Sequence, residues 1–392
     1  MGKVKRRGFA SNCGWQKGVT DYNVRMQERV ADGVVMYDVA VIGGGPAGAT
    51  LARMIAGDFR VLVVEKRTES ADGEGFGSKC CGGLLAPDAQ KMLASLGLGL
   101  PQHVLLGPQV FVVRVIDLER RVERYYQRHY INIDRGAFDR WLISLIPSSV
   151  DVRMGCELKG YEEVKGGFEL RLSENGTAFS ERAGRIVGAD GARSLVRKPA
   201  FSEAPFPKLY AAIQEWVAAE KQPPYFTAIF DREVTDYYSW TIPKDDMLVV
   251  GAALSPGEGA SENFELLKRK LGECGFELGR RVRKEAGVLL RPVRRNQICT
   301  GGNGIGLIGE AAGWISPSSA EGLSYAFGSA AEMASALKRE PDNFARRYKR
   351  NRRGLRRNVL AKNIKANFVY GPLLRRCLMR TGLGSMRVAG RG

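Results

Sequence analysis

The spacing of hydrophobic and polar positions changes several times along the chain. From Tyr37 to Ile42 the residues are apolar and β-branched except for Asp38, and the run passes directly into Gly43, Gly45 and Gly48. This predicts a buried strand turning tightly into a helix. A second apolar strand, Arg60 to Val64, ends in Glu65. Helical spacing follows from Pro87 to Leu96. It recurs from Ile131 to Ile146, where Phe138, Trp141, Leu142 and Leu145 share one face behind Arg135. Strands are predicted at Val110–Ile116, Arg121–Tyr126 and Val150–Arg153, followed by a hairpin with Lys165-Gly166-Gly167 at its tip. An apolar strand from Arg185 then opens onto Asp190-Gly191. From about Phe206 to Leu290 the pattern alternates at Leu209–Val217, Tyr225–Phe230, Asp236–Ile242 and Met247–Leu254. That predicts an antiparallel sheet, interrupted by one helix from Ala260 to Cys274. A last strand ends at Gly309-Glu310, and Ser316–Gly322 opens a helix running to about Leu337.

The mixture predicts an α/β protein in which a Rossmann-type domain carries an inserted antiparallel sheet and a helical C-terminus. Its chemistry starts at the first turn. Gly43, Gly45 and Gly48 are spaced as G-x-G-x-x-G around Pro46 and Ala47. Gly43 allows the turn, Gly45 lets a pyrophosphate approach the backbone, and Gly48 lets the helix pack on the sheet. Glu65 falls about 20 residues further on, where ribose hydroxyls need an acceptor. Gly304–Gly309 spells the same pattern, but its first glycines precede the strand core and no strand-terminal acid follows at the required distance. Its helix start at Ser316–Gly322 is instead expected to face an anion or a developing negative charge.

Composition narrows the function classes. With 392 residues and 44% hydrophobic content, the chain is long enough for two domains or one large elaborated domain. Its seven cysteines include no C-x-x-C pair, and its only histidines are His103 and His129. Reduced thiols, a cytoplasmic setting and no metal are therefore expected. No run of about 18 uncharged apolar residues predicts a spanning helix. The net charge of +18 is uneven: residues 1–36 carry +4 and residues 338–392 carry +15, which leaves the middle close to neutral. Residues 1–35 read as a disordered or loosely attached leader, and Met36, just before the first strand, is an alternative start.

Six stretches in order carry a resemblance. They are G-G-G-P-A-G with Glu65, K-C-C-G-G-L-L-A-P (79–87), I-D-R-G-A-F-D-R-W-L (133–142), G-A-D-G-A-R-S (188–194), Y-S-W-T-I-P-K (238–244) and G-E-A-A-G-W-I-S-P-S-S-A-E-G (309–322). Together they resemble the geranylgeranyl reductase family of FAD-dependent oxidoreductases, in its bacterial CbrA-like branch, within the wider class of aromatic hydroxylases and flavin halogenases. The resemblance implies a discontinuous FAD-binding domain (36–104, 130–200 and 291–337), a substrate-binding sheet layer (105–129 and 201–290) and a basic helical tail (338–392). It implies that Gly43, Gly45, Pro46, Ala47, Gly48 and Glu65 hold the ADP half of FAD. Arg135, Asp190 and Gly191 would support the pyrophosphate and ribityl region. Gly309 and Glu310 would meet the ribityl or pyrophosphate; most of the wider class has aspartate where Glu310 stands, one methylene shorter. The loop ending at Gly322 would border the flavin ring.

The reaction implied is reduction of an isolated C=C bond in a hydrophobic isoprenoid, with electrons from NAD(P)H or a reduced carrier. Cys81, the cysteine before Gly82-Gly83, is expected to deliver a proton or position the substrate; otherwise it is a small buried residue beside a glycine turn. Cys80 is the less favoured of the pair. Tyr238 and Trp240 project to one sheet face and are expected to line the substrate pocket, or else are plain core. The alternatives are a flavin monooxygenase or halogenase, and a flavoprotein scaffold at a membrane surface. Gly313, where aromatic hydroxylases commonly carry histidine, and the C-G-G stretch favour the reductase. In the tail, Leu355, Val359, Leu360, Ile364 and Phe368 recur at helical spacing among basic residues. They are expected either to dock on the anionic inner face of the membrane or to pack on the flavin domain. No nucleic-acid motif is present.

Overall fold

The computed structural model describes residues 36–68, 80–219, 222–382 and 384–386. The leader, Lys79 and most of the polar loop after Glu65 lie outside the described residues.

The apolar strands Val39–Ile42 and Val61–Glu65 pair in parallel at the centre of a six-stranded sheet. Asp151–Met154 extends it beyond Val61–Glu65, while Ile186–Gly188, Ile305–Leu307 and the short antiparallel Gly301–Gly302 extend it the other way. Both faces are covered, so these strands show no alternation. On one face, helices Pro46–Ile55 and Leu323–Arg339 bury Leu51, Ile55, Ala330, Met333 and Leu337 against Val39, Val41, Val61 and Val63. The other face meets Leu158, Phe168, Leu170 and Leu172 of a second, four-stranded sheet. That sheet is built from Cys156–Val164, Gly167–Glu174, Thr177–Ala183 and the two-residue strand Met36–Tyr37. The predicted hairpin is therefore a separate layer.

The alternating region forms an eight-stranded sheet, in the order Arg281–Arg291, Lys208–Ala218, Met247–Leu254, Ser239–Lys244, Phe226–Phe230, Val110–Asp117, Val122–Asn132, Leu84–Leu85. It is antiparallel except where Phe226–Phe230 runs parallel to Val110–Asp117. The 105–129 and 201–290 segments thus share one sheet. One face packs on helix Gly259–Glu273 through Phe264, Leu267 and Leu271. The other is aromatic, with Tyr210, Trp216, Tyr237 and Trp240.

The tail folds as three helices, Phe344–Asn351, Arg353–Tyr370 and Pro372–Thr381. Its inner half is core: Phe344 and Tyr348 join the helix-side cluster, and Val359 and Leu355 pack against the opposite one. Trp314 Nε1 donates to the Tyr348 hydroxyl at 3.1 Å, with both side chains fully buried. Arg375 donates to Asp117 at 2.8 Å and ties the last helix to the eight-stranded sheet. Of the predicted tail stripe, Leu355 and Val359 pack inward while Ile364 and Phe368 are exposed. The expectation that the stripe packs on the body therefore holds for Leu355 and Val359 and not for Ile364 and Phe368. No described helix is long and apolar enough to cross a membrane.

Tyr348→Phe leaves the buried Trp314 N–H without its acceptor, which costs about 1–3 kcal/mol. In urea the midpoint of unfolding should fall while the slope stays the same. An unchanged midpoint would mean that this bond does not hold the tail.

Candidate functional site

The glycine turn has the stereochemistry the sequence predicts. Gly43 has φ +105°, and a Cβ there would lie 2.6 Å from Ala189 O; a Cβ on Gly48 would lie 1.8 Å from Gly43 O. Gly45 differs, since among the described residues the nearest atom to a Cβ there is an Arg67 guanidinium nitrogen at 4.0 Å. Its openness is therefore not required by protein packing. The helix behind it begins with Pro46 and has neither a side-chain cap nor an acid in its first turn. Its first amides are left to face an anion, as a pyrophosphate-binding turn requires. Gly309 closes the other side, where a Cβ would lie 3.0 Å from Ala47 Cβ.

Glu65 is buried and accepts four bonds. Gly44 N donates to Oε2 at 2.7 Å and Arg67 N to Oε1 at 2.9 Å, while Arg67 Nε and NH2 donate at 2.9 and 3.0 Å. A carboxylate has about four acceptor positions, so a ribose hydroxyl must displace one Arg67 N–H to be received here. Burial opposes ionisation of Glu65, but Arg67 and the two backbone amides outweigh it and hold the carboxyl below its ordinary range. Arg67 continues the network to Asp139 at 2.7 Å, Asp139 accepts from Arg135 Nε at 2.8 Å, and Arg135 NH1 reaches Cys81 Sγ at 3.3 Å. A continuous path therefore joins the glycine turn to the candidate cysteine. The spacing of Arg135 and Asp139 at i,i+4 was a signal available in the sequence. Arg67, which carries the path to Asp139, lies 72 residues away and left none.

The remaining cofactor candidates are placed as follows. Asp190 Oδ2 accepts from Leu195 N at 2.7 Å, while its buried Oδ1 has no partner among the described residues. Burial pushes this carboxyl up against those bonds. A buried acceptor of this kind suits a sugar or ribityl hydroxyl and repels phosphate. Gly191 starts the next turn with φ +78°. Glu310 Oε1 accepts from Leu290 N at 2.9 Å, at the end of the eight-stranded sheet. Gly322 precedes helix Leu323–Arg339, but Glu321 already accepts from Ser324 N at 2.7 Å. The helix start expected to face an anion is thus partly capped from within, by an acid whose carboxyl is pushed up by burial.

The substrate side gathers around Cys81. Its neighbour Cys80 turns to the sheet, where Sγ lies 3.5 Å from Ala212 O, and burial pushes the Cys80 thiol far up. Lys244, fully buried, donates to Gly83 O at 3.0 Å and Ile133 O at 2.8 Å, which pins the Cys81-Gly82-Gly83 turn. Burial lowers the Lys244 ammonium to about 7, against the opposing pull of Cys81, Asp134, Asp245 and Glu285. Tyr238 and Trp240 do share a face, with ring centroids 5.5 Å apart. The Tyr238 hydroxyl donates to Ser319 O at 2.9 Å, whereas Trp240 stacks on Gly251, where a Cβ would lie 2.3 Å from the ring. Beside them, Arg291 is held between Tyr237 and Tyr370, 4.4 and 4.2 Å from their ring centres. Tyr370 also donates to Ser318 O at 3.0 Å, so the tail helps to fix the Ser316–Gly322 loop. Among the described residues no group of three or more His, Cys, Asp or Glu side chains is placed to hold a metal ion.

Comparisons with known proteins give a consistent picture. No protein-family model matches the chain. It is 40% identical over 347 residues to protein CbrA of Escherichia coli K12, covering 88% of this chain and 97% of that protein; CbrA of Shigella sonnei gives the same figures. The chain belongs to the CbrA family. Among solved structures, a geranylgeranyl bacteriochlorophyll reductase-like protein from Thermoplasma acidophilum superposes with TM-score 0.74 at 20% identity, over 86% of this chain and 88% of that one. PqsL, a probable FAD-dependent monooxygenase from Pseudomonas aeruginosa, gives 0.65 at 17%, over 89% of this chain and 100% of its own. CmlS, a flavin-dependent halogenase, gives 0.64 at 16%, over 82% and 62%. The chain has the fold these proteins share.

Lys244 generates a signed pH dependence. A lysine whose folded-state pKa is depressed contributes stability that is fully present above its unfolded value of 10.5 and is lost as pH falls through about 7. Relative to Lys244→Met, the wild-type protein should therefore gain stability between pH 7 and pH 10.5, as measured by urea unfolding across that window. Parallel stability curves would show that Lys244 keeps an ordinary pKa.

Proposed function

We propose that this member of the CbrA family is an FAD-dependent oxidoreductase that reduces isolated C=C bonds in an isoprenoid lipid. The observation that carries the reading is the path Gly44–Glu65–Arg67–Asp139–Arg135–Cys81, which sets a thiol and a fixed guanidinium between a dinucleotide-type turn and an aromatic sheet face. Gly43, Gly45, Gly48 and the uncapped start of helix Pro46–Ile55 would hold the pyrophosphate. Glu65 and the unpartnered Asp190 oxygen would hold hydroxyl groups. FAD, when bound, supplies the electron pair that saturates a double bond, and NAD(P)H or a reduced carrier replenishes it.

The protein's own part is to place the alkene, exclude water and supply a proton. Cys81 is the group that would deliver the proton. Arg135 NH1 lies 3.3 Å from its sulfur, where the charge left on the thiolate would be met by a cation. Lys244 fixes the backbone on the other side of the turn, so the thiol is carried on a rigid loop. Tyr238 and its neighbouring rings offer an apolar wall suited to a prenyl chain. The oxygen-activating alternative draws on the halogenase and monooxygenase structures that share the fold. Gly313 argues against the aromatic-hydroxylase variant, because it has φ +89° and a Cβ would lie 3.1 Å from Gln297 O. A histidine there would be strained.

Purified protein should be yellow and release FAD on heating. Gly45→Val should lose the cofactor but keep its fold, because among the described residues beyond its chain neighbours the nearest atom to the new Cβ is Arg67 NH2 at 4.0 Å. Released FMN, or no flavin even after reconstitution, would reject the cofactor.

Cys81→Ser should keep FAD and lose most of its turnover, roughly a hundredfold for a missing proton donor, while Cys80→Ser changes little. Equal rates in the two variants would leave Cys81 as packing. Mass spectrometry of cellular lipids with and without the protein should show isoprenoid species differing by two hydrogens, and a hydroxylated or halogenated product would favour the alternative.

A further inference from the structure

The exposed side of the tail combines apolar and basic residues in a way that the fold does not require. In helix Arg353–Tyr370, Val359 and Ala366 face the body. At 100° per residue the opposite side carries Arg353, Arg357, Ile364 and Phe368. Ile364 is 55% exposed and Phe368 49%. The chain then turns at Gly371-Pro372 into the helix Pro372–Thr381, where Arg375 and Met379 face inward. Leu373, 73% exposed, and Leu374 lie on its outer side, with Arg376 and Arg380 along one flank. Large apolar side chains concentrated in this way are not an ordinary solvated surface.

Charge decides what covers them. Between Asn343 and Gly392 the sequence contains no Asp or Glu. Among the described residues the acids that pair with this segment serve other members of it: Glu340 takes Arg347 and Arg350, Asp88 takes Lys362 and Asp117 takes Arg375. Arg353, Arg357, Lys365, Arg376 and Arg380 are exposed and have no ion pair among the described residues. A cavity of about 240 Å³ opens beneath the last helix, lined by Arg120, Arg376 and Arg380 with Val122, Met379 and Asp117. Its one acid is already bonded to Arg375, so guanidinium groups dominate its rim.

We propose that the outer faces of these two helices dock the protein on an anionic lipid bilayer, with Ile364, Phe368, Leu373 and Leu374 entering the interface and Arg376 and Arg380 receiving phosphate headgroups beside the cavity. Helices with an apolar crown and unpaired cations on the flanks lie in the plane of such an interface. The same helix ends in Tyr370, which holds Ser318 of the site loop, only two residues beyond Phe368. A docked tail therefore brings the candidate site to the surface in which a prenyl lipid resides. The docking surface does not depend on the redox reading, because vesicle binding is measured without turnover.

The test uses the full-length protein in co-sedimentation with vesicles of phosphatidylcholine alone or mixed with phosphatidylglycerol. Binding should require phosphatidylglycerol and weaken as salt rises. Both Ile364→Glu/Phe368→Glu and Arg376→Glu/Arg380→Glu should reduce it at least about tenfold. Each alters exposed side chains, and unchanged urea unfolding would confirm that the fold is kept. Deleting the tail is the wrong control, because it would strip Phe344 and Tyr348 from the core. Equal binding to neutral vesicles, no binding at low salt, or variants that bind like wild type would overturn the proposal. So would a wild-type dimer in gel filtration that Phe368→Glu dissolves, or duplex DNA that displaces the vesicles at equal phosphate.

Discussion

The arrangement of the site depends on one buried run of alternating charge, Glu65–Arg67–Asp139–Arg135. Two carboxylates and two guanidinium groups cancel, and each finds partners within 3.0 Å. Burying charge is tolerable only when it is paired and hydrogen-bonded in this way, and stranding one member costs about 3–5 kcal/mol. The run spans strand Val61–Glu65, the segment after it and helix Arg135–Ser144, so it fixes that helix relative to the glycine turn. Because Arg135 also touches Cys81, the position of the thiol is set by the same electrostatic balance that holds Glu65.

On the opposite side, the eight-stranded sheet grips the Cys81-Gly82-Gly83 turn through buried polar side chains. Lys244 reaches from the end of strand Ser239–Lys244 to Gly83 O and Ile133 O. A Cβ on Gly83 would come within 2.6 Å of its ammonium and 2.4 Å of Ile133 O, so the glycine is what lets the lysine and the turn meet. Gln214 adds a bond to Cys81 O at 3.2 Å. The turn is thus held between strands of the eight-stranded sheet and helix Arg135–Ser144, an arrangement that makes the geometry of Cys81 sensitive to how the two sit together.

What could be read from the sequence was local. The glycine turn, the strand ending in Glu65 and the alternating sheet each follow from neighbours a few residues apart, and the structure reproduces them. The two-layer cover of the central sheet was not legible, because the strands of the hairpin reveal their partner face only once Phe168 and Leu170 meet Ile42 and Leu62. Lys244, the last residue of the 238–244 stretch, has its burial hidden for a related reason. Followed by Asp245-Asp246 at a hairpin turn, it reads as a solvated charge, and only the tertiary fold buries it. Arg67 and Asp139 meet across 72 residues, and Arg291 of strand Arg281–Arg291 meets Tyr370 of the tail, so neither pair leaves a periodic trace. Arg135 was found by family resemblance, yet the structure sets it against Cys81 as well as toward the dinucleotide side.

The tail shows why its stripe permitted two readings. An amphipathic helix with apolar residues at 355, 359, 360, 364 and 368 spreads them over more than half of its circumference, so one body cannot cover them all. The fold takes Leu355 and Val359, and leaves Ile364 and Phe368 outside. The division runs around the circumference: Val359 and Ala366 face the body, and Ile364 and Phe368 face away from it. At the end of this helix Tyr370 donates to Ser318 O and packs on Tyr237 at 5.0 Å between ring centres, so the helix that carries the exposed side chains also holds the loop bordering the candidate site. One helix therefore packs on the body with one side and leaves large apolar side chains exposed on the other.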